Sequence, residues 1–150
     1  MSEEMKAVVR RYFEEGWNKG NLATIDELVS PGCVWHKPDR EQAVGPQAVK
    51  DAIERYRRAF PDLHCTIDGQ LADGDTVVTR WSVEGTHAGE LMGISPTGNR
   101  VDCAGIVIHR FVGGKIVEAW DSWDKLGFIQ QLGIVPAAQE ATAYSPRTRR

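Results

Sequence analysis

The chain has 150 residues, 41% of them hydrophobic, and carries 18 basic against 21 acidic side chains for a formal charge of −3. That length favours one domain with one sizeable core, and without a basic excess nucleic acid is not an expected partner. No apolar run approaches the roughly 18 residues of a membrane span, and the acidic start, Met-Ser-Glu-Glu-Met-Lys, reads as a helix and not as a signal peptide. A cytoplasmic protein with no membrane contact is therefore expected.

Residues 3–18 place Met5, Val8, Val9, Tyr12, Phe13 and Trp17 at helical spacing, with Glu, Lys and Arg on the other face. Gly20-Asn21 ends that helix. Leu22, Ile25, Leu28 and Val29 define a second, stopped by Pro31-Gly32. Cys33 to His36 reads as a short strand closed by Pro38. Pro46 suits the first turn of a third helix, which runs to about Phe60 with Val49, Ile53, Tyr56 and Phe60 buried.

From Asp62 onward the period changes to two. Strands are predicted over 63–71, 76–84, 101–111 and 115–123, with Ala-Asp-Gly-Asp75 and Gly113-Gly114 as turns. The segments 85–89 and 93–98 read as loops. A last short helix spans 124–132, and the polar tail from 137 is expected to be disordered, so the domain is 1–136. Helices first and antiparallel strands after indicate an α+β layer, with a curved sheet leaving a pocket at its open mouth. The three cysteines, Cys33, Cys65 and Cys103, are scattered and lack CxxC spacing. They suggest neither a disulfide framework nor a zinc site.

The stretch His109 to Asp124 concentrates the chemistry: one histidine, three carboxylates and two tryptophans. A two-residue turn at Gly113-Gly114 pairs Val112 with Lys115, and strict alternation then fixes the register. Phe111 faces Ile116, His109 faces Glu118, Val107 faces Trp120, Gly105 faces Ser122 and Cys103 faces Asp124, all on one side. Ile106, Ile108, Arg110, Val117, Ala119 and Asp121 fall on the other. The first side reads as a cavity wall, with Gly105 leaving room for a ligand and His109 about 5 Å from Glu118. Asp124, roughly 20 Å along the strand from Glu118, reaches His109 only through a bound molecule. It is also what a helix N-cap looks like. The sequence has no GxSxG, P-loop or GxGxxG after a strand, and its histidines lack HxH or HExxH spacing, so neither a cofactor nor a metal is expected.

Arg57 to Leu63 (Arg-Arg-Ala-Phe-Pro-Asp-Leu), Gly74 to Trp81 (Gly-Asp-Thr-Val-Val-Thr-Arg-Trp), Gly85-Thr-His-Ala-Gly89, Gly93 to Gly98, Gly114 to Asp121 and Asp124 to Gly133 form an ordered set. Together they resemble the SnoaL-like polyketide cyclases of the NTF2-like superfamily. The resemblance implies a cone-shaped α+β barrel, usually dimeric, with a deep apolar pocket. It implies intramolecular aldol closure of a polyketide ester without cofactor or metal, with an aspartate as general acid/base and a histidine in the pocket. Asp124 and His109 are the matching positions, with Asp121 as the rival for the first role. It also brings in His36 on the first strand, and His87.

The expected function is proton abstraction α to the carbonyl of a small hydrophobic substrate by Asp124. His109 holds the enolate oxygen, Trp35 and Trp120 form apolar walls, and His36, Glu118, His87 and Cys103 are further contacts. The alternatives are a non-catalytic binding module on the same scaffold, or a ketosteroid-isomerase-like or epoxide-hydrolase-like enzyme. A homodimer is expected through the apolar outward face Ile106, Ile108, Val117 and Ala119.

Overall fold

The amphipathic pattern of the N-terminus folds in two pieces. A computed structural model describes residues 2–133, so the tail expected from residue 137 lies outside them. Helix α1 (Ser2–Arg11) buries Met5 and Val9, and it runs directly into a π-helical segment, Tyr12–Asn18. The wider winding turns Tyr12, Phe13 and Gly16 inward together. Its end is tied down. Arg57 donates to the Trp17 and Asn18 carbonyls at 2.9 and 2.7 Å, while the Asn18 side chain pairs with the Cys65 backbone at both its N–H and C=O.

Helix α2 (Leu22–Leu28) stops earlier than Pro31-Gly32, which instead lie within β1 (Val29–His36). Pro31 is tolerated there because β1 slips register against its neighbour between Val29 and Val34, where a missing N–H costs no ladder bond. A short β2 (Gln42–Val44), not predicted from the pattern, folds back on β1. Then follow α3 (Pro46–Ala59), β3 (His64–Asp73), β4 (Thr76–Thr86), β5 (Arg100–Val112), β6 (Lys115–Trp123) and α4 (Lys125–Gln131).

The six strands form one curved, unclosed sheet in the order β2-β1-β6-β5-β4-β3. It is mixed and not wholly antiparallel, because β1 runs parallel to β6. These two strands lie far apart in sequence, so no hairpin constrains their direction. The helices and the π-helical segment cover the concave face, and Val9, Ile25, Ile53, Val77 and Ile116 are buried to 1% exposure or less between them.

The β5–β6 hairpin departs from strict alternation. Gly113 and Gly114 both take positive φ, 59° and 81°, as a tight turn needs, and Val112↔Lys115 and Phe111↔Ile116 pair as expected. Then Val117 bulges out. Beyond it Arg110 pairs with Glu118, His109 with Ala119, Ile108 with Trp120, Val107 with Asp121, Ile106 with Ser122 and Gly105 with Trp123. One extra residue reverses the facing of every later side chain on β6. Glu118 and Trp120 therefore lie on the convex side, and Ala119 and Asp121 on the concave side, opposite to the expectation. The physical reason is the charge on Glu118. Outside, it meets Arg110 at 3.0 Å and His36 at 2.7 Å; inside, beside a neutral histidine, it would stand unpaired. The space expected over Gly105 is also filled, since a Cβ there would come within 2.6 Å of Trp81.

Candidate active site

The concave face encloses a cavity of about 430 Å³. Its walls come from the π-helical segment (Tyr12, Phe13, Trp17), β1 (Cys33, Trp35), α3 (Ala52, Tyr56), the sheet (Trp81, Cys103, Val107, Ala119, Trp123) and Phe128 of α4. Most of this surface is aromatic or aliphatic, which suits a flat, hydrophobic molecule.

Besides charged side chains such as Lys37, Asp39, Arg55 and Lys125, the lining includes His109 and Asp121, each with a buried polar atom set among apolar neighbours. These two lie on adjacent strands, each two residues along from the other's partner and so on the same face, because His109 is opposite Ala119 and Asp121 opposite Val107. Diagonal neighbours of this kind are about 7–8 Å apart, so a ligand oxygen or carbon fits between them.

Asp121 is reached through the cavity, yet its Oδ1 is sealed from solvent and has no hydrogen-bond partner among the described residues. Burial pushes the carboxyl up to about 7, against the opposing influence of the Trp35 indole and the Ser122 backbone. At neutral pH the group thus exists as both acid and carboxylate. His109 is 2% exposed, and its Nδ1 also lacks a partner among the described residues. Burial pulls the imidazole down to about 4, so it is neutral. The Tyr12 ring packs edge-on against it, with centroids 5.3 Å apart. A neutral imidazole can donate a hydrogen bond to a carbonyl oxygen without bringing a charge into the cavity.

Asp124 is elsewhere. It is exposed, does not line the main cavity, and its Oδ1 accepts the Gly127 N–H at 2.9 Å as the N-cap of α4. His36 stands on the convex face, where its Nε2 meets Glu118 and its ring stacks on Trp120 with centroids 5.3 Å apart and planes 10° apart. Glu118, held below the usual carboxylate range by His36 and Arg110, and Trp120, 37% exposed, are outside with it. His87 is wholly buried, but as the anchor of the 87–99 loop. Its Nδ1 takes the Thr97 N–H at 3.2 Å and lies 3.0 Å from the Thr97 hydroxyl, and its ring leans on Phe60. Trp35 and Cys103 do line the cavity. Burial pushes the Cys103 thiol up to about 12, so it stays protonated.

Tyr12, Trp17, Tyr56 and Trp123 complete the pocket without having been singled out from the sequence. Their helical and alternating spacing marks burial, and burial in a core is indistinguishable from burial around a cavity at that level. Among the described residues no helix is long and apolar enough to cross a membrane.

A curved sheet over helices, enclosing an aromatic cavity with one buried carboxyl and one neutral imidazole, defines a small-molecule site on a cone-like α+β scaffold. The SnoaL-like polyketide cyclase model matches residues 7–132, and the chain belongs to that family. It is similar to the aklanonic acid methyl ester cyclases DauD of Streptomyces sp. (strain C5) and DnrD of Streptomyces peucetius. Identity is 32% and 31% over 132 residues, covering 84% of this chain and 80% and 88% of the relatives. Among solved structures it resembles AclR of Streptomyces galilaeus, described as a candidate hydroxylase. Identity is 33%, the TM-score is 0.83, and coverage is 95% of this chain and 92% of that one.

Proposed function

We propose that this cyclase closes a ring in a polyketide ester by intramolecular aldol condensation, with Asp121 as the general acid/base. The observation that carries this reading is the half-buried Asp121 carboxyl, with one oxygen sealed from solvent and unpaired among the described residues, in an apolar cavity that also holds His109. A general acid/base works best near the ambient pH, and burial brings this carboxyl there. As carboxylate, Asp121 takes a proton from the carbon α to a carbonyl, and the electron pair moves into an enolate. The neutral His109 donates to the enolate oxygen. The enolate carbon attacks a second carbonyl of the same molecule, and the new alkoxide takes the proton back from Asp121. Atoms balance without an oxidant or a resident cofactor. Tyr12 and Trp35 hold the two polar groups in place, and the tryptophans keep water out.

The same reading assigns the chain to the cytoplasm, where its free cysteines remain reduced. It also assigns a homodimer, through the apolar strip of exposed Ile106 and Trp120 with half-buried Ile108 on the convex sheet. An epoxide-hydrolase-like role is disfavoured, since among the described residues no asparagine lines the cavity to help hold a water.

The likeness to AclR supports a second reading, hydroxylation on the same scaffold. Incubation with aklanonic acid methyl ester separates the two. Ring closure gives a product of unchanged mass with no oxygen uptake. A product heavier by one oxygen atom, formed with oxygen uptake, supports hydroxylation. Tight binding without turnover supports a non-catalytic carrier.

A further inference from the structure

The deep end of the cavity holds Asp121 and His109, whereas its mouth is lined by charge. Most of that charge is paired: Lys37 lies 3.9 Å from Glu41, Lys125 lies 3.5 Å from Asp39, and Arg100 holds Glu84 at 2.8 Å. Arg55 of α3 lines the same mouth but makes no hydrogen bond or ion pair among the described residues. The carboxylate one helical turn back, Asp51, accepts from Gln47 at 2.8 Å instead. Next to Arg55, the hydroxyl of Tyr56 also makes no hydrogen bond among the described residues. Its ring is set by Trp17 and Phe128, each with centroids 6.2 Å away. Burial raises this phenol, and the Arg55 charge acts against that rise, so the two groups sense each other.

We infer that Arg55 and Tyr56 form an anion-recognising subsite, which selects substrates carrying a carboxylate or phenolate at the end left in the mouth. This rests on the cavity being the cyclase substrate site. A guanidinium offers a planar fork of donors to such an oxygen pair, and the phenol adds a third donor. The mouth is open to water, so the anion keeps part of its hydration and the desolvation penalty stays small. At the deep end an anion would meet ionised Asp121 instead. The two ends together orient the substrate, with apolar rings inward and the acidic oxygen outward.

The full chain can be titrated at pH 8 with anthraquinone-2-carboxylate, its methyl ester and 2-hydroxyanthraquinone, following tryptophan fluorescence. Trp17, Trp35, Trp81 and Trp123 all line the cavity. The carboxylate is expected to bind about tenfold tighter than its ester, the contribution of one charge-assisted contact. The hydroxyanthraquinone shows whether a phenolate receives the same preference. Arg55→Ala abolishes that preference and Tyr56→Phe reduces it, while the ester's affinity stays within about twofold, since apolar burial holds it. Equal affinity for acid and ester in the unaltered chain overturns the inference. So does an equal loss for both in Arg55→Ala, or failure of every probe to bind. None of these readings needs turnover, so an absent ring closure would sink the cyclase chemistry and leave the subsite measurement standing.

Discussion

A carboxyl group facing aromatic walls holds its proton longer than one facing water, and at Asp121 the folded chain keeps it to about pH 7, against an ordinary 3.8. The unfolded chain releases that proton between those values. Stability therefore falls as pH rises from about 4 to 7, and the loss persists above. His109 works in the opposite direction. Its folded value of about 4 lies below the ordinary 6.5, so it contributes stability above 6.5 that is lost as pH falls towards 4. Asp121→Asn removes only the first effect. Its unfolding free energy should exceed that of the unaltered chain at pH 8, by up to roughly 4 kcal/mol, and converge with it near pH 4. Denaturant titrations at the two pH values check this, and an equal difference at both would contradict the buried carboxyl. Trp35 sets the same group more finely. Trp35→Phe removes an indole that favours the carboxylate, so the rising limb of activity against pH should move to higher pH by about 0.5–1 unit. A limb that stays put, or moves to lower pH, counts against the contact.

At the scale of elements, the decisive feature is one residue in β6. The Gly113-Gly114 turn and its first two pairs are legible in the sequence, because two positive-φ residues between alternating strands have a local chemical signature. The bulge at Val117 is not. What favours it is the ion pair of Glu118 with Arg110, its hydrogen bond with His36, 82 residues away in sequence, and the stacking of Trp120 on His36. Alternation from the turn cannot register partners supplied by a strand whose placement is itself unknown. For the same reason the parallel β1–β6 pairing escaped, while the hairpin strands, the helices and the Asp124 cap were readable from local signals. Deleting Val117 forces a choice between burying Glu118 and breaking the turn. We expect a loss of several kcal/mol, the size set by leaving a buried charge unpaired. Deletion of Val112, on the exposed side next to the turn, serves as the reference. Similar unfolding midpoints for the two would contradict the account of the bulge.

At the scale of the molecule, one sheet does two things with its two faces. The concave face and its helices make an aromatic cavity lined by Asp121 and His109, with charge at the rim. The convex face presents Ile106, 46% exposed, beside Ile108 and Trp120. Ala119, expected there, is buried on the other side, yet Trp120 replaces it with a larger apolar surface. Sedimentation at micromolar concentration is expected to give a dimer, and Ile106→Lys to shift it towards monomer; a monomer throughout would contradict the proposed pairing. The central claim is that the acid/base is Asp121 in the cavity and not Asp124 at the helix cap. Its most direct test is kcat for ring closure with Asp121→Asn and Asp124→Asn side by side on one substrate. Asn still caps a helix, so the account predicts that Asp124→Asn stays within a few-fold of the unaltered chain, while Asp121→Asn loses about 10²–10⁴ in rate. Full activity in Asp121→Asn, with the loss appearing in Asp124→Asn, would contradict it.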